Sequence, residues 1–137
     1  QAEIGISQLA LLPQNLAWRR RAAEAYREAL GGAAPAQGPE DPAADVHLRF
    51  TFLVDDRRFW EDRYRDVLDM GVWFTSVAQG RDTDLELIGY ESGSCPVAEM
   101  TVRRCVNLPT HQRITRPELL AGRLKENLRY LRGGTER

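Results

Sequence analysis

Apolar residues recur at steps of three and four through the opening of the chain. Ile4, Leu9, Leu12, Leu16, Ala23, Tyr26 and Leu30 mark the stripe, and its period predicts an amphipathic helix. Pro13 lies inside it and is expected to kink or restart the helix, because proline lacks an amide donor and crowds the preceding turn. Gly31-Gly32 supplies a left-handed stop. The period then changes. Over 46–54, Val46, Leu48, Phe50, Phe52 and Val54 alternate with His47, Arg49, Thr51 and Leu53, which predicts a strand with one apolar face. Between helix and strand, residues 31–45 are rich in Gly, Pro and Ala and are expected to form a flexible connection.

Helical spacing returns over 55–71, where Phe59, Trp60, Tyr64, Val67 and Leu68 share a face. Asp55 and Asp56 suit its first turn, and Gly71 its end. "VWFTSV", 72–77, reads as a short strand, and a polar loop follows. Pro96 opens another helix, with Val97, Met100, Thr101 and Arg104 at helical spacing, and "VNLP" is a short extended piece. Thr115-Arg116-Pro117-Glu118 matches a capping box, in which the Thr115 hydroxyl would accept from the Glu118 amide. Leu119, Leu120, Leu124, Leu128 and Leu131 stripe the last helix, and Gly133-Gly134 ends it. The order is helix, strand, helix, strand, helix, short strand, helix. It predicts one α+β domain over 1–137, an α/β sandwich in which a small sheet of about three strands is packed by helices.

Composition narrows the functional classes. The chain has 137 residues, 42% hydrophobic and 28% charged, with a net charge of −1. A nucleic-acid or membrane-surface partner would favour a basic excess, so neither is expected. No apolar run approaches the roughly 18 residues of a membrane span, and the opening lacks the pattern of a secretory leader. Cys95 and Cys105 read as two reduced thiols, and no Asn-x-Ser/Thr occurs; a cytoplasmic setting is expected.

Familiar catalytic spacings are absent: no Cys-x-x-Cys, no His-Glu-x-x-His, no phosphate-binding Gly-rich loop. His47, His111, Cys95 and Cys105 match no common zinc spacing, so no metal ligands are expected. Cys105 with His111 as a nucleophile pair has no local support. Asp55-Asp56 and Asp82/Asp84 fit turn and helix-start roles better than paired acids. "WRRR", 18–21, reads as a solvated helix face. Lys125 is the single lysine and lies among charged neighbours.

Several blocks, in order, carry a resemblance: "QAEIGISQL", "RRRAAEAYREAL", "LRFTFLVDDR", "GVWFTS" and "GYESGSCPVAEMTVRRCVNLPTH". Together they resemble the C-terminal third of the DegT/DnrJ/EryC1/StrS aminotransferases, which are pyridoxal-phosphate enzymes of fold type I acting on keto-sugars, mostly nucleotide-linked. The resemblance implies the small domain of such an enzyme, with a long N-terminal helix. The cofactor lysine, the aspartate of the pyridine nitrogen and the rest of the large domain would be supplied by residues N-terminal to Gln1, and the parent would be a homodimer. No catalytic or cofactor-binding residue carries over to this chain, which is expected to bind no pyridoxal phosphate alone. Trp73, Phe74, Thr75, Ser76, Gln79 and His111 would face the substrate, with residues 78–94 as a mobile flap. Many family members place a His-aromatic pair just after this strand. Here Thr75-Ser76-Val77-Ala78-Gln79 contains no histidine. A free-standing binding or scaffolding domain is the alternative reading.

Overall fold

The computed structural model describes residues 2–31, 45–68, 70, 74, 76–78 and 84–128. Its elements are α1 (Ala2–Leu30), β1 (Arg49–Leu53), α2 (Arg57–Tyr64), α3 (Pro96–Arg104), β2 (Cys105–Pro109) and α4 (Pro117–Glu126). The fold is mixed α+β, with a long N-terminal helix and an antiparallel sheet of β1 and β2. The sheet has two strands among the described residues where about three were expected. The predicted strand over 72–77 falls partly outside those residues, and the described parts, Phe74 and 76–77, lie in turn and bend. The described residues form two compact units, one running to Phe50 and resuming over Pro109 to Leu128, the other running from Thr51 to Leu108.

In the first unit, α1 runs unbroken through Pro13. The proline leaves the Leu9 carbonyl without its usual amide donor, and that stretch is solvent-exposed, so water can serve the carbonyl. Gly31, at φ 52°, ends the helix in the left-handed region as expected. The C-terminal half of α1 buries Ala22, Ala23, Tyr26 and Leu30, a stripe of four-residue steps that packs on α4. From α4 come Pro117, Leu120, Ala121 and Leu124. Leu119, expected in this stripe, is exposed, because it lies about 100° around the helix from Leu120. Leu131, Gly133 and Gly134 lie outside the described residues. Tyr26 is fully buried. Its ring meets Phe50 at 5.7 Å, and its hydroxyl donates to the Pro109 carbonyl at 2.9 Å. Burial pushes the phenol well above its usual range.

The capping box does not form. The residue before α4 is Arg116, with φ −138° and ψ 73°, and no side chain caps the helix. A capping box would need Arg116 in the first helical turn, but Pro117 excludes helical geometry from the residue before it. The helix therefore starts at Pro117 and Thr115 falls one residue too early. Glu118 instead receives Arg21 Nε at 2.8 Å.

The strand pattern over 46–54 is also shortened. His47 has φ 43°, and its amide donates to Asp45 Oδ1 at 2.8 Å, a local turn that competes with extended backbone. Alternation cannot pass through such a residue. Val46 and Leu48, expected inside, are 52% and 55% exposed, while His47 is buried. From Arg49 onward the expected face holds, with Phe50, Phe52 and Val54 buried.

The second unit is centred on Trp60, which is fully buried. Its ring stacks on Tyr64 and meets Phe52 edge-on, each at 5.8 Å. Asp56 caps α2, accepting from the Phe59 amide at 3.0 Å. The helix stops at Tyr64 rather than continuing through Leu68: the Val67 and Leu68 amides both return to the Tyr64 carbonyl at 2.9 Å and form a turn. Gly71 lies outside the described residues. Pro96 opens α3 as expected, yet α3 buries no residue. All five residues of β2 are buried, Asn107 among them. Its side chain accepts from Thr51 Oγ1 at 2.7 Å, and its amide donates to the Met70 carbonyl at 3.0 Å, which offsets the cost of burying an amide.

Candidate functional site

Of the residues expected to face a substrate, Trp73, Thr75 and Gln79 lie outside the described residues. Phe74 and Ser76 belong to the second unit and His111 to the first.

In the second unit, Phe74 presents its ring to solvent, 62% exposed, while its backbone is held from within. Arg57 is buried. Its Nη1 donates to the carbonyls of Phe74 and Val102, both at 2.9 Å, and its Nε to Glu61 Oε1 at 2.7 Å. One guanidinium thus ties α2, the segment at Phe74 and the end of α3. A planar fork with five donors suits this role, and a lysine would not. The chain beyond is also tethered. Glu99 on α3 accepts from the Tyr90 hydroxyl at 2.8 Å and the Gly93 amide at 2.6 Å. Those hydrogen bonds hold its carboxyl below the usual range. The far end of the expected flap over 78–94 is therefore fastened to α3 at Tyr90 and Gly93.

In the first unit, His111 follows β2 in a turn. Its side chain is partly buried, and its Nδ1 is buried with no hydrogen-bond partner. Burial, then the charges of Arg49, Arg113 and Arg19, hold the imidazole below its ordinary value. Neighbouring Thr110 is buried. Its hydroxyl meets the carbonyls of His47 and Leu48 and accepts from Arg19 Nη1 at 3.1 Å. Arg19 Nη1 also donates to the Leu48 carbonyl at 3.1 Å, and its Nε to Asn15 Oδ1 at 2.7 Å. Beside this cluster, α1 and the segment before β1 line a groove of about 410 Å³, mainly with Leu11, Leu12, Leu16, Val46 and Leu48, and with Arg19 among the polar lining.

The residues considered for chemistry separate by environment. Cys95 and Cys105 are both free thiols. Cys105 is buried, and burial pushes its thiol up, away from the thiolate a nucleophile needs. Among the described residues no group of three His, Cys, Asp or Glu side chains could hold a metal ion, and no helix is long and apolar enough to cross a membrane. Asp56 caps α2, whereas Asp55, expected in the first turn of that helix, precedes it and accepts from Arg104 Nη2 at 2.7 Å. Asp82 lies outside the described residues; Asp84 Oδ1 accepts from the Glu86 amide at 3.1 Å. Lys125 is exposed on α4. An aldimine-forming lysine needs an enclosed site that positions the cofactor ring, and exposed Lys125 does not lie in one.

Arg57, Asn107 and Arg19 are the anchoring residues that pattern reading missed. Arg57 lay in a polar helix start and Asn107 within a short extended piece. Arg19 belongs to "WRRR", expected to be a solvated face; it is half-buried and tied to backbone, whereas Arg21 is exposed, over the Trp18 ring at 5.3 Å. The only sequence signal for Arg19 was its four-residue spacing from Asn15.

A long helix, a small antiparallel sheet and an exposed Phe74 whose carbonyl a buried arginine holds define a mixed α+β protein. The sequence model of the DegT/DnrJ/EryC1/StrS aminotransferase family matches residues 1–120, and the chain belongs to that family. No curated protein and no solved structure matches it.

Proposed function

We propose that this chain is the C-terminal small domain of a pyridoxal-phosphate aminotransferase that places an amino group on a keto-sugar, nucleotide-linked, in polysaccharide or deoxyamino-sugar biosynthesis. In this reading the parent works in the cytoplasm as a homodimer, and the cofactor-binding large domain is a separate part of its polypeptide. The observation that carries the reading is the family match over residues 1–120. The exposed position of Lys125 supports the corollary that residues 1–137 alone transfer no amino group. The contribution of the second unit is then to present the segment at Phe74, braced by Arg57, to the substrate.

The test compares two polypeptides: residues 1–137, and the product of the whole reading frame. Each is mixed with pyridoxal phosphate, an amino donor and a nucleotide-linked keto-sugar. Amino transfer by the longer product, together with no transfer and no aldimine absorption band from residues 1–137, is expected. A stoichiometric band from residues 1–137 that is lost in Lys125→Ala overturns the corollary. A whole reading frame with no lysine-bearing domain before residue 1 overturns the proposal and favours the free-standing domain.

A further inference from the structure

The first half of α1 carries apolar surface that no described residue covers. Residues 2–14 are all exposed, with Ile4 at 68%, Leu11 at 53% and Leu12 at 45%. Val46 and Leu48 are exposed as well, and with Leu11, Leu12 and Leu16 they line the groove of the first unit. Glu3 is the only charged residue from Ala2 to Ala17. Gly5 and Pro13, both inside the helix, are poor helix formers. Most of a helix's stability in a protein comes from a packed face, and among the described residues this stretch has none.

The surface is made to match itself. At about 100° per residue, Ile4, Gly5, Gln8, Leu11, Leu12 and Asn15 share one side of the helix. Glu3 and Ile6 lie off that side, about 140° and 160° around from Gln8. Gln8 stands in the middle, next to the groove. Its amide both donates and accepts, so it can pair with the same amide of a second copy. With two helices antiparallel and Gln8 facing Gln8, Ile4 of one copy meets Leu12 of the other at the groove. Leu11 of one then lies over Gly5 of the other, where a Cβ would find open space within the fold. Each contact occurs twice about a two-fold axis, and such a pairing closes at two copies. No charged residue stands on the shared side of the first half, so like charges do not oppose it there.

The area decides how strong the pairing is. Ile4, Gln8, Leu11, Leu12, Val46 and Leu48 each leave on the order of 100 Å² to solvent. The face therefore offers about 600 Å² per copy, the low end for a specific interface. That size supports a weak dimer, with a Kd of roughly 10–100 μM.

We propose that this side of α1, together with Val46 and Leu48, docks a second copy of the chain in an antiparallel two-fold pairing centred on Gln8. The inference stands on the first unit alone and not on the function proposed above.

Sedimentation velocity of residues 1–137 from about 1 to 500 μM tests it, because mass action moves a dimer of this strength across that range. A shift from monomer to dimer, with no larger species, is expected. Leu12→Arg and Gln8→Glu, both at exposed positions, should each weaken the dimer at least about tenfold, the first by putting charge at the groove and the second by setting two carboxylates together at the axis. Sodium chloride at about 0.5 M should recover part of the Gln8→Glu loss by screening that pair. Ile6→Arg alters a side chain 68% exposed but off the shared side, and should leave the dimer unchanged. Monomer at every concentration overturns the proposal and leaves the face to some other part of a longer polypeptide. A dimer that survives Leu12→Arg, or that Ile6→Arg weakens equally, overturns it as well, since association then lies elsewhere or is unspecific. Far-UV circular dichroism follows the helix in each variant; should Leu12→Arg lose it, the Gln8→Glu loss and its recovery in salt decide the matter.

Discussion

Arg57→Ala is the sharpest perturbation of the second unit. The side chain makes charge-assisted hydrogen bonds to Glu61 at 2.7 Å and to the Phe74 and Val102 carbonyls at 2.9 Å. The Arg57 side chain is 9% exposed and that of Glu61 is 19%, so the pair is not a surface ion pair of the kind worth about 0–1 kcal/mol. Truncation leaves a largely buried carboxylate and two carbonyls short of a donor. Removing one partner of such a pair costs about 3–5 kcal/mol. That is a large part of the roughly 5–15 kcal/mol that holds a domain folded. With a urea m-value of about 1.5 kcal/mol/M, the lower figure moves the midpoint down by about 2 M. Arg57→Lys restores a charge beside Glu61 but not the fork, so an intermediate loss is expected. Arg57→Met combined with Glu61→Met removes both charges and should cost less than the two single changes together. Amide exchange around Phe74 should quicken in Arg57→Lys, because the carbonyl anchor of that segment is weakened. A loss below about 1 kcal/mol for Arg57→Ala, at unchanged m-value, would refute the claim that this guanidinium braces the Phe74 segment.

Two further outcomes follow from local geometry. Arg116 occupies the position before α4 with no capping side chain, so Arg116→Asp should stabilise by about 1 kcal/mol, while Thr115→Ala should stay within about 0.5 kcal/mol; chemical denaturation giving the reverse order would restore the capping box. His47 is held below its ordinary value, first by burial, with Asp45 and Glu24 opposing and Arg27 and Arg20 assisting. The unfolded chain then protonates first, near pH 6.5, so the contribution of neutral His47 is full above that pH and is lost as pH falls toward the folded value. Stability should be lower at pH 5.5 than at 7.5, and His47→Asn, which tolerates φ 43°, should reduce the difference; identical pH dependence in the two proteins would exclude His47 as a source.

What the sequence determined by itself was local. The stripe through Ala23, Tyr26 and Leu30 specified the buried half of α1, and Phe50, Phe52 and Val54 specified the core face of β1, because helix and strand periods are properties of the backbone. Pro96 located the start of α3 and Gly31 the end of α1 for the same reason. The order of blocks along the chain sufficed to resemble the family that matches residues 1–120. The failures also began locally. A capping box was inferred from Thr115 and Glu118, but Pro117 governs the residue before it, and that steric rule outranks the motif. An unbroken strand was inferred across His47, whose turn with Asp45 ends the alternation.

Tertiary structure alone decided the partners of the long polar side chains. Arg57 sits at a helix start and Arg19 in a stretch that read as solvated surface, yet each is drawn inward by carbonyls far along the chain, Val102 for one and Leu48 for the other. Asn107 lies buried in β2 because Thr51 meets it across 56 positions of sequence. Periodicity reports which face of an element is apolar. It carries no information about where a flexible charged side chain will find its acceptor, because that depends on which backbone groups folding has left unpaired and brought within reach.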